Sequence, residues 1–321
     1  MILITGATGF IGAYTARAVR DRGHEVIAVS RYDWRDEARF ILGGDLPDLA
    51  RIDTGDPAAL ERLVRERRPD TIIHLDAYVN PVGLRDDPVR AVEANVEPTL
   101  ALLELCRRYG VGRFVLASTV AVLPSIRYEP IDAAHPLVTP REGPAGGFYG
   151  VSKAVSEMLA LGYADAFPLD VRIVRPSAVY GFGMQWPIGV KPVVEGISDG
   201  REVDISTSGP PRDFTPVHDV AAIFAAAAEC AADSDRVFFA GTGRPLITPA
   251  EYLDIVRATF PRARVRAVDE NADPAGVESR YRGVVDMTPV REQLGVEPAF
   301  ATLGDGLAHY AEAYRRFRDT R

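Results

Sequence analysis

Short apolar runs alternate with longer segments of helical periodicity through the first half of the chain. The short runs fit buried strands, and the longer segments repeat their apolar residues every three or four positions, as one face of a helix does. The predicted strands are 1–4, 25–29, 71–75, 113–117 and 170–174. The predicted helices are 10–22, 58–67, one within 89–109 and one that includes Tyr149. Because helix follows strand each time, we expect a doubly wound α/β lobe with a parallel sheet over residues 1–175.

Proline and glycine interrupt this pattern beyond Pro176, which predicts a second, smaller α/β lobe over residues 176–321. A helix over 217–232 and a strand over 237–240 are expected to return to the first lobe. The two lobes are therefore not separated at one position in the sequence. The remaining predicted elements are a helix over 249–260, a strand over 265–268 and a C-terminal helix over 303–317.

The composition excludes several classes of function. The 321 residues carry a formal net charge of −8, which argues against binding to nucleic acid through clustered Lys and Arg. The cysteines, Cys106 and Cys230, are too few for a disulfide framework, and the 5 histidines show no metal-ligand spacing. The sequence has no apolar run that could span a membrane and does not begin like a signal peptide. We therefore expect no metal, no membrane partner and a cytoplasmic location.

A glycine turn joins the first predicted strand to the first predicted helix. Gly6, Gly9 and Gly12 would let a pyrophosphate approach the amides at the positive end of the helix, which predicts dinucleotide binding. The simpler interpretation is a tight strand-to-helix turn. At the end of the second strand Ser30 and Arg31 stand where an acid would hold the ribose of NAD, which favours NADP over NAD. Alternatively, Arg31 points into solvent.

Tyr149 and Lys153 are four residues apart on a predicted helix. Residues at this spacing share a face, so a phenol and an ammonium would lie side by side. A neighbouring cation favours the phenolate, which suits the tyrosine to acid/base catalysis. The same spacing also occurs by chance on solvated helices, so the weight of the pair depends on the residues that precede it.

The glycine turn, Ser118, Thr119 and the Tyr149–Lys153 pair occur in order with several further stretches. These are Thr5, Asp53, His74-Leu75, Asn95, Arg175-Pro176, Val179-Tyr180-Gly181, Arg212-Asp213-Phe214, Val217 and Asp219-Val220. Over nearly its whole length the chain resembles the extended short-chain dehydrogenase/reductase family, in its NAD(P)-dependent nucleotide-sugar epimerase/dehydratase branch. The resemblance implies a Rossmann lobe that carries the dinucleotide, a C-terminal lobe that closes over the substrate, and a homodimer formed through two helices per subunit.

The resemblance also implies roles for individual residues. Tyr149 would be the general acid/base, Lys153 would bind the nicotinamide ribose, and Thr119 would hydrogen-bond the reacting hydroxyl. The implied cofactor-binding residues are Gly6, Thr8, Gly9, Phe10, Ile11, Gly12, Ser30, Arg31, Asp53, Thr54, Leu75, Asp76, Ala77, Asn95, Ser118, Tyr149, Lys153, Pro176 and Val179. The implied substrate-binding residues are Ser118, Thr119, Tyr149, Ser177 and Arg212.

Simpler roles are open for some of these side chains. The hydroxyls of Ser118 and Thr119 could only cap the end of a strand. Arg212 could form an ion pair with Asp213 or Asp219.

The reaction implied first is epimerisation of a nucleotide sugar by transient oxidation, at C4, with the cofactor retained. The alternatives are NADPH-dependent reduction of a nucleotide-linked keto sugar or of a non-sugar ketone, and, in another class, a non-catalytic dinucleotide sensor. Val120 and Ala121 follow Thr119 where related dehydratases have acids, so dehydration is not expected. Ser177 stands where many relatives have asparagine, and Asp76 where alanine is usual.

Overall fold

A computed structural model of the chain describes residues 1–186, 189–270, 280 and 282–321. Strands and helices alternate through the first part of the chain, as the apolar pattern predicts. The strands are β1 (Ile2–Thr5), β2 (Val26–Ser30), β3 (Asp48–Arg51), β4 (Thr71–His74), β5 (Arg113–Ala117) and β6 (Asp170–Pro176). The helices are α1 (Phe10–Asp21), α2 (Asp36–Leu42), α3 (Pro57–Arg67), α4 (Pro81–Asp86), α5 (Val89–Ala91), α6 (Glu97–Tyr109) and α7 (Gly147–Ala166).

Shorter strands and further helices make up the rest of the chain. The strands are β7 (Val179–Tyr180), β8 (Val203–Ser206), β9 (Thr215–Pro216), β10 (Val237–Ala240) and β11 (Val265–Val268). The helices are α8 (Val190–Ser198), α9 (Val217–Ala227), α10 (Pro249–Thr259), α11 (Thr288–Leu294) and α12 (Leu303–Asp319).

The main sheet has 7 parallel strands in the order β10-β6-β5-β4-β1-β2-β3. The direction in which the strands are added reverses at β1, between β4 and β2, and ligands bind at such a switch point in doubly wound sheets. The predicted Rossmann-like doubly wound parallel sheet is therefore confirmed. The carboxyl ends of the strands form one edge, above which the loops that follow them must meet.

Side chains that alternate along each strand pack on opposite faces of this sheet. On one face Ile2 and Ile4 belong to a buried core shared with residues of α1, α9 and α12. On the other face Leu3 and Ile27 belong to a second core shared with residues of α3, α6 and α7. Covering helices on both faces explain why the inner strands read as continuous apolar runs.

The later elements build on one side of this sheet. β8 pairs with β11 and β7 pairs with β9, each in parallel, while α10 and α8 pack against α12. β10 lies beside β6 in the main sheet, and α9 packs against α1. The division into lobes 1–175 and 176–321 stays a prediction. Within the described ranges, no helix combines the length and apolar character needed to cross a bilayer.

The predicted helix within 89–109 contains an irregular turn. Residues Val92–Val96, between α5 and α6, adopt a π-helical conformation. Pro98, in the first turn of α6, has no amide hydrogen to donate to the carbonyl four residues earlier. The regular α-helical hydrogen-bond pattern is therefore interrupted at this position. Asn95 lies within the π segment.

The predicted helix over 217–232 ends five residues early, at Ala227. Two guanidinium groups donate hydrogen bonds to the backbone carbonyls around this end of the helix. Arg113 donates to the carbonyls of Ala227 and Cys230 at 3.2 and 2.7 Å, and the buried Arg172 donates to that of Ala231 at 3.0 Å. Because cationic donors satisfy the exposed carbonyls, the helix can stop there.

Candidate active site

The residues singled out in the sequence lie along the carboxyl edge of the main sheet. The glycine turn follows β1, Ser30 ends β2 and Arg31 comes after it, Asp53 and Thr54 follow β3, residues 75–77 follow β4, Ser118 and Thr119 follow β5, Pro176 ends β6, and Val179 begins β7. Since parallel strands place their carboxyl ends together, these residues, which are far apart in the chain, are gathered along one edge of the sheet.

The glycine turn has the geometry of a phosphate cradle. Gly6 has a φ of +68°, and a Cβ there would lie 2.9 Å from the amide nitrogen of Asp76. A Cβ on Gly12 would lie 2.1 Å from the carbonyl oxygen of Gly6. α1 begins at Phe10, and its N-cap, Gly9, has no side chain to cover the first-turn amides. These amides are therefore available to an anion at the positive end of the helix.

Polar contacts tie the ends of β2 and β3 to the glycine turn. The hydroxyls of Thr8 and Ser30 are 2.7 Å apart. Arg31 Nη1 lies 3.4 Å from Asp53 Oδ2, and both side chains are about half exposed. Asp53 Oδ1 accepts the amide of Gly55 at 3.0 Å. Arg31 therefore contacts Asp53, a predicted cofactor-binding residue, instead of extending alone into solvent.

The side chain of Thr5, for which the sequence analysis predicts no individual role, fixes the end of β4. Thr5 Oγ1 lies 2.7 Å from Nδ1 of the buried His74 and accepts the amides of Leu75 and Asp76 at 3.2 and 3.3 Å. Burial, and secondarily the nearby lysine, lowers the pKa of His74 to about 3, so this imidazole is neutral at physiological pH. Asp76 Oδ2 accepts the hydroxyl of Thr54 at 2.5 Å.

Asn95 is fully buried and joins the loop after β4 to α7. Its Oδ1 accepts the amide of Tyr78 at 2.7 Å, while Nδ2 donates to the carbonyl of Tyr78 at 3.1 Å and to Ser152 Oγ at 3.0 Å. Ser152 Oγ donates in turn to the carbonyl of Tyr149 at 2.9 Å. The asparagine thus acts on the predicted cleft through the loop after β4 and the first turn of α7.

Lys153 is the most deeply buried member of the predicted catalytic set, with 1% of its surface exposed. Its Nζ donates to the carbonyl of Ala117, the last residue of β5, at 2.9 Å. Burial lowers the pKa of Lys153 to about 8, and the charges of Asp76 and Glu157 oppose this change. Tyr149, one turn earlier on α7, is half-buried.

A buried ion pair lies below the predicted catalytic residues. Glu157, one turn after Lys153, accepts from Arg175 Nε at 3.0 Å and from Nη2 at 2.7 Å. It also accepts the hydroxyl of Ser118. Ser118 is therefore held by α7 and β6, and it is not merely a strand-end cap. The sequence analysis missed Glu157, although its position one turn beyond Lys153 on the same helix face is a usable signal.

The substrate side of the predicted site combines local and long-range contacts. Thr119 Oγ1 accepts the amide of Ala121 at 3.2 Å and so caps the 3₁₀ turn Val120–Val122, which agrees with the simpler role for its hydroxyl. Ser177 hydrogen-bonds Asp213, whose carboxyl is buried and has a raised pKa because of that burial. Arg212, next to it, is partly buried and pairs through its backbone with Ile247.

Comparisons with known proteins agree with this geometry. The model of the NAD dependent epimerase/dehydratase family matches residues 2–241. The chain is 29% identical to a UDP-glucose 4-epimerase from Mycolicibacterium smegmatis over 98% of both chains. It is 30% identical to a dTDP-glucose 4,6-dehydratase from Streptomyces antibioticus, over 98% of this chain and 92% of that one.

A solved structure extends the comparison to three dimensions. The crystal structure of UDP-glucose 4-epimerase from Thermus thermophilus, in complex with NAD, superposes with a TM-score of 0.78. The two sequences are 27% identical, and the match covers 98% of each chain.

Replacement of Gly12 by alanine should damage the glycine turn. The new Cβ would collide with the carbonyl of Gly6, so we expect the free energy of unfolding to fall by about 1–3 kcal/mol and NAD(P) affinity to fall at least about tenfold. Urea unfolding and fluorescence titration with NADH and NADPH measure both quantities.

Gly162→Ala is the matched control, because a Cβ at this α7 position meets no atom within 4 Å. It should leave binding unchanged and raise helix stability by up to about 1 kcal/mol. Equal behaviour of the two variants would contradict a tight turn at Gly12.

Proposed function

The chain belongs to the NAD-dependent epimerase/dehydratase family, and we propose that it is a nucleotide-sugar epimerase. In this proposal it inverts a hydroxyl-bearing carbon, C4, by transient oxidation, and releases the epimer. The fold and the family make it an enzyme of the short-chain dehydrogenase/reductase type. The similarity to UDP-glucose 4-epimerases over 98% of the chain supports C4 as the reacting carbon.

One observation carries the proposal. The buried ammonium of Lys153 is anchored on the carbonyl of Ala117, at the end of the strand that leads into Ser118 and Thr119. This contact brings the face of α7 that bears Tyr149 to the edge of the sheet where Thr119 stands. In this proposal a proton-transfer group, a cation and a hydroxyl act together above the carboxyl end of β5.

The residues of the cleft fit a dinucleotide. The glycine turn leaves backbone amides open to a pyrophosphate, hydroxyls lie at the ends of β2 and β3, and a buried lysine faces the cleft. When bound, NAD(P) would supply the hydride chemistry that the side chains lack. Solved relatives carry NAD, as the Thermus thermophilus epimerase does.

The side chains of this chain would then perform the proton chemistry. Tyr149 takes the proton from the sugar hydroxyl and returns it after the inversion, with the charge of Lys153 favouring the phenolate. Thr119 orients the same hydroxyl, and Arg212 offers a guanidinium to the diphosphate of the substrate. Val120 and Ala121 supply no acid for water elimination, which argues against dehydration.

Replacement of Tyr149 by phenylalanine tests the catalytic role. The variant loses its proton carrier, so conversion of UDP- and dTDP-hexoses should fall about 10²–10⁴-fold while NAD(P) binding persists. Products are separated by ion-pair chromatography after incubation with NAD. Tyr163→Phe is the control on the same helix, because its hydroxyl bonds Glu104 at 3.1 Å, away from the cleft. Full activity of Tyr149→Phe with any hexose would refute the proposal.

The same assay distinguishes epimerisation from net reduction. An epimerase converts the hexose without consuming free cofactor, whereas a reductase of a keto sugar or of another ketone oxidises NADPH stoichiometrically. Absorbance at the NADPH band, followed with keto-sugar nucleotides and simple ketones, gives the answer. Steady consumption would favour the reductase.

We further propose that Arg31 favours NADP over NAD. Its guanidinium is half exposed, 3.4 Å from Asp53, and could turn from this surface pair to fork onto a 2′-phosphate. Arg31→Ala should weaken NADPH binding about tenfold and leave NADH binding unchanged, as measured by fluorescence titration. Arg62→Ala, an exposed change on α3, is the control. An unchanged ratio of the two affinities would remove the preference.

A homodimer through two helices is the proposed assembly. α7 exposes Val151, Val155 and Met158 at helical spacing, with 42%, 38% and 49% of their surfaces accessible. The neighbouring segment exposes Val92 and Leu100 at 49% and 41%. α7 packs against the segment Val92–Val96 and against α6, and in this proposal a second copy of the chain covers their exposed apolar side chains.

Val155→Glu places a charge in this face. We expect the mass by light scattering to change from dimer to monomer, because an unpaired carboxylate in a closed interface costs several kcal/mol. Val138→Glu, at an exposed position outside α6 and α7, is the control. A wild-type chain that is monomeric at micromolar concentration would contradict the dimer.

A further inference from the structure

A cavity of about 990 Å³ lies between α1, α2, α9 and α12. Helix α1 lines it with residues from Tyr14 to Asp21, beyond the first turn that carries the glycine amides. Its described lining contains none of the predicted catalytic, cofactor-binding or substrate-binding residues. Its volume is in the range of small-molecule sites. The cavity is therefore a candidate for a second binding site, separate from the predicted cofactor cleft.

The lining of this cavity is basic, although the chain as a whole is acidic. Its described charged residues are four arginines and two aspartates, namely Arg17, Arg39, Arg316, Arg321, Asp21 and Asp36. The whole chain, in contrast, has a formal net charge of −8. Because an excess of one charge in a concave surface attracts ions of the opposite sign, the cavity favours an anion.

The four arginines differ in how far their charge is matched. Arg39 Nη2 lies 3.1 Å from Asp33 Oδ1, and Arg321 forms an ion pair with Asp36. These two guanidinium groups are therefore engaged with carboxylates.

Arg17 on α1 and Arg316 on α12 have weaker partners. Arg17 Nη1 donates to the carbonyl of Ile41 at 3.1 Å, and its ion pair with Asp21 spans 3.7 Å between two exposed side chains. Arg316 is exposed and forms no ion pair with any residue in the described ranges. Surface pairs at such distances contribute little. Two helices thus each bring a guanidinium whose donors remain available to a ligand.

Aromatic rings form an apolar wall of the same cavity. Tyr14 and Phe182 are buried, and the hydroxyl of Tyr14 donates to the carbonyl of Phe182 at 3.2 Å. The ring of Phe182 packs against those of Phe40 and Phe317, with centroids 5.5 and 5.1 Å apart. This packing holds the rings in place, so they offer a fixed surface to a flat ligand.

Two imidazoles complete the lining. The rings of His218 on α9 and His309 on α12 have centroids 4.8 Å apart and planes at 84°. Burial, and secondarily the nearby His309 and Arg17, lowers the pKa of His218 to about 4, so this ring is neutral at physiological pH. A neutral imidazole donates through one nitrogen and accepts through the other, which matches the mixed polar edge of a nucleobase.

We propose that this cavity binds a mononucleotide, with its phosphate on Arg17 and Arg316 and its base among the aromatic rings and the two imidazoles. A guanidinium holds phosphate through two parallel hydrogen bonds. An inorganic ion would leave the ring surfaces uncovered, and an uncharged ring would leave the arginines without a partner. The inference goes beyond the proposed function and does not depend on it.

The histidines permit a measurement that distinguishes this cavity from the cleft. The chain contains 5 histidines, so protein labelled with ¹³C,¹⁵N-histidine gives five sets of imidazole NMR signals, each assigned by a single replacement with glutamine. His218 and His309 report on the cavity, whereas His74, held by Thr5 at the end of β4, reports on the predicted cofactor cleft. The probes are AMP and UMP, with adenosine and inorganic phosphate as the separate halves of AMP.

AMP or UMP should shift the signals of His218 and His309 in the wild type. Arg316→Ala should weaken this binding at least about tenfold, because it removes a charge-assisted fork from the phosphate. Arg315→Ala, an exposed change on the same helix and outside the described lining, should leave it unchanged. Arg17→Ala is the second variant and should weaken binding similarly, with urea unfolding to verify that it is folded.

Several results would overturn the proposal. One is the absence of shifts at His218 and His309 in the wild type, and another is equal nucleotide affinity in the wild type and both arginine variants. Affinity for inorganic phosphate or adenosine equal to that for AMP would contradict a nucleotide as the ligand. A nucleotide that shifts His74 alone would occupy the predicted cofactor cleft, which defeats the second site and leaves the proposed function standing.

Discussion

The candidate site depends on one buried cation. The ammonium of Lys153 lies on the carbonyl of Ala117, so α7 is attached to the carboxyl end of β5 by a contact that neither element can replace. Desolvation of an ammonium is costly, and the hydrogen bond to this carbonyl offsets part of the cost. This contact sets the position of Tyr149, one turn away, relative to Thr119, two residues beyond the carbonyl. The geometry that acid/base chemistry requires is thus a consequence of satisfying one charge.

Hydrogen bonds between distant segments make the rest of the cleft rigid. Thr5 joins the end of β1 to His74, and Asn95 joins the loop after β4 to Ser152 on α7. Each bond is buried, where an unmade bond would leave a polar group without solvent. The loops above the carboxyl edge are therefore fixed by side chains and do not depend on the ligand for their arrangement. Such a cleft suits chemistry in which the same groups must act in both directions.

The features that could be predicted from the sequence are those that local spacing determines. The strand and helix periods, the glycine turn before α1, and the four-residue separation of Tyr149 and Lys153 all belong to this class. The Glu157–Arg175 pair could not be predicted, because it requires α7 to cross β6 at one particular position. The early end of α9 could not be predicted either, since it depends on Arg113 of β5, which donates a hydrogen bond to the carbonyl of Ala227. Contacts of this kind depend on tertiary packing, and residue type alone does not specify them.

The acids of the candidate site differ in the groups that contact their carboxylates. This difference distinguishes the predicted cofactor side from the predicted substrate side. On the predicted cofactor side Asp76 accepts the hydroxyl of Thr54 at 2.5 Å, and Glu157 is bound by an arginine. On the opposite side Asp213 is buried among neutral donors, with Thr242 Oγ1 at 2.7 Å and the amide of Thr242 at 3.1 Å. Burial raises the pKa of Asp213, which disfavours its negative charge. Arg212, the residue before this acid in the chain, is partly buried and is the cation predicted to contact the substrate. A cation of this kind beside hydroxyl-bearing strand ends suits a substrate that combines a diphosphate with a sugar, as the proposed epimerase requires.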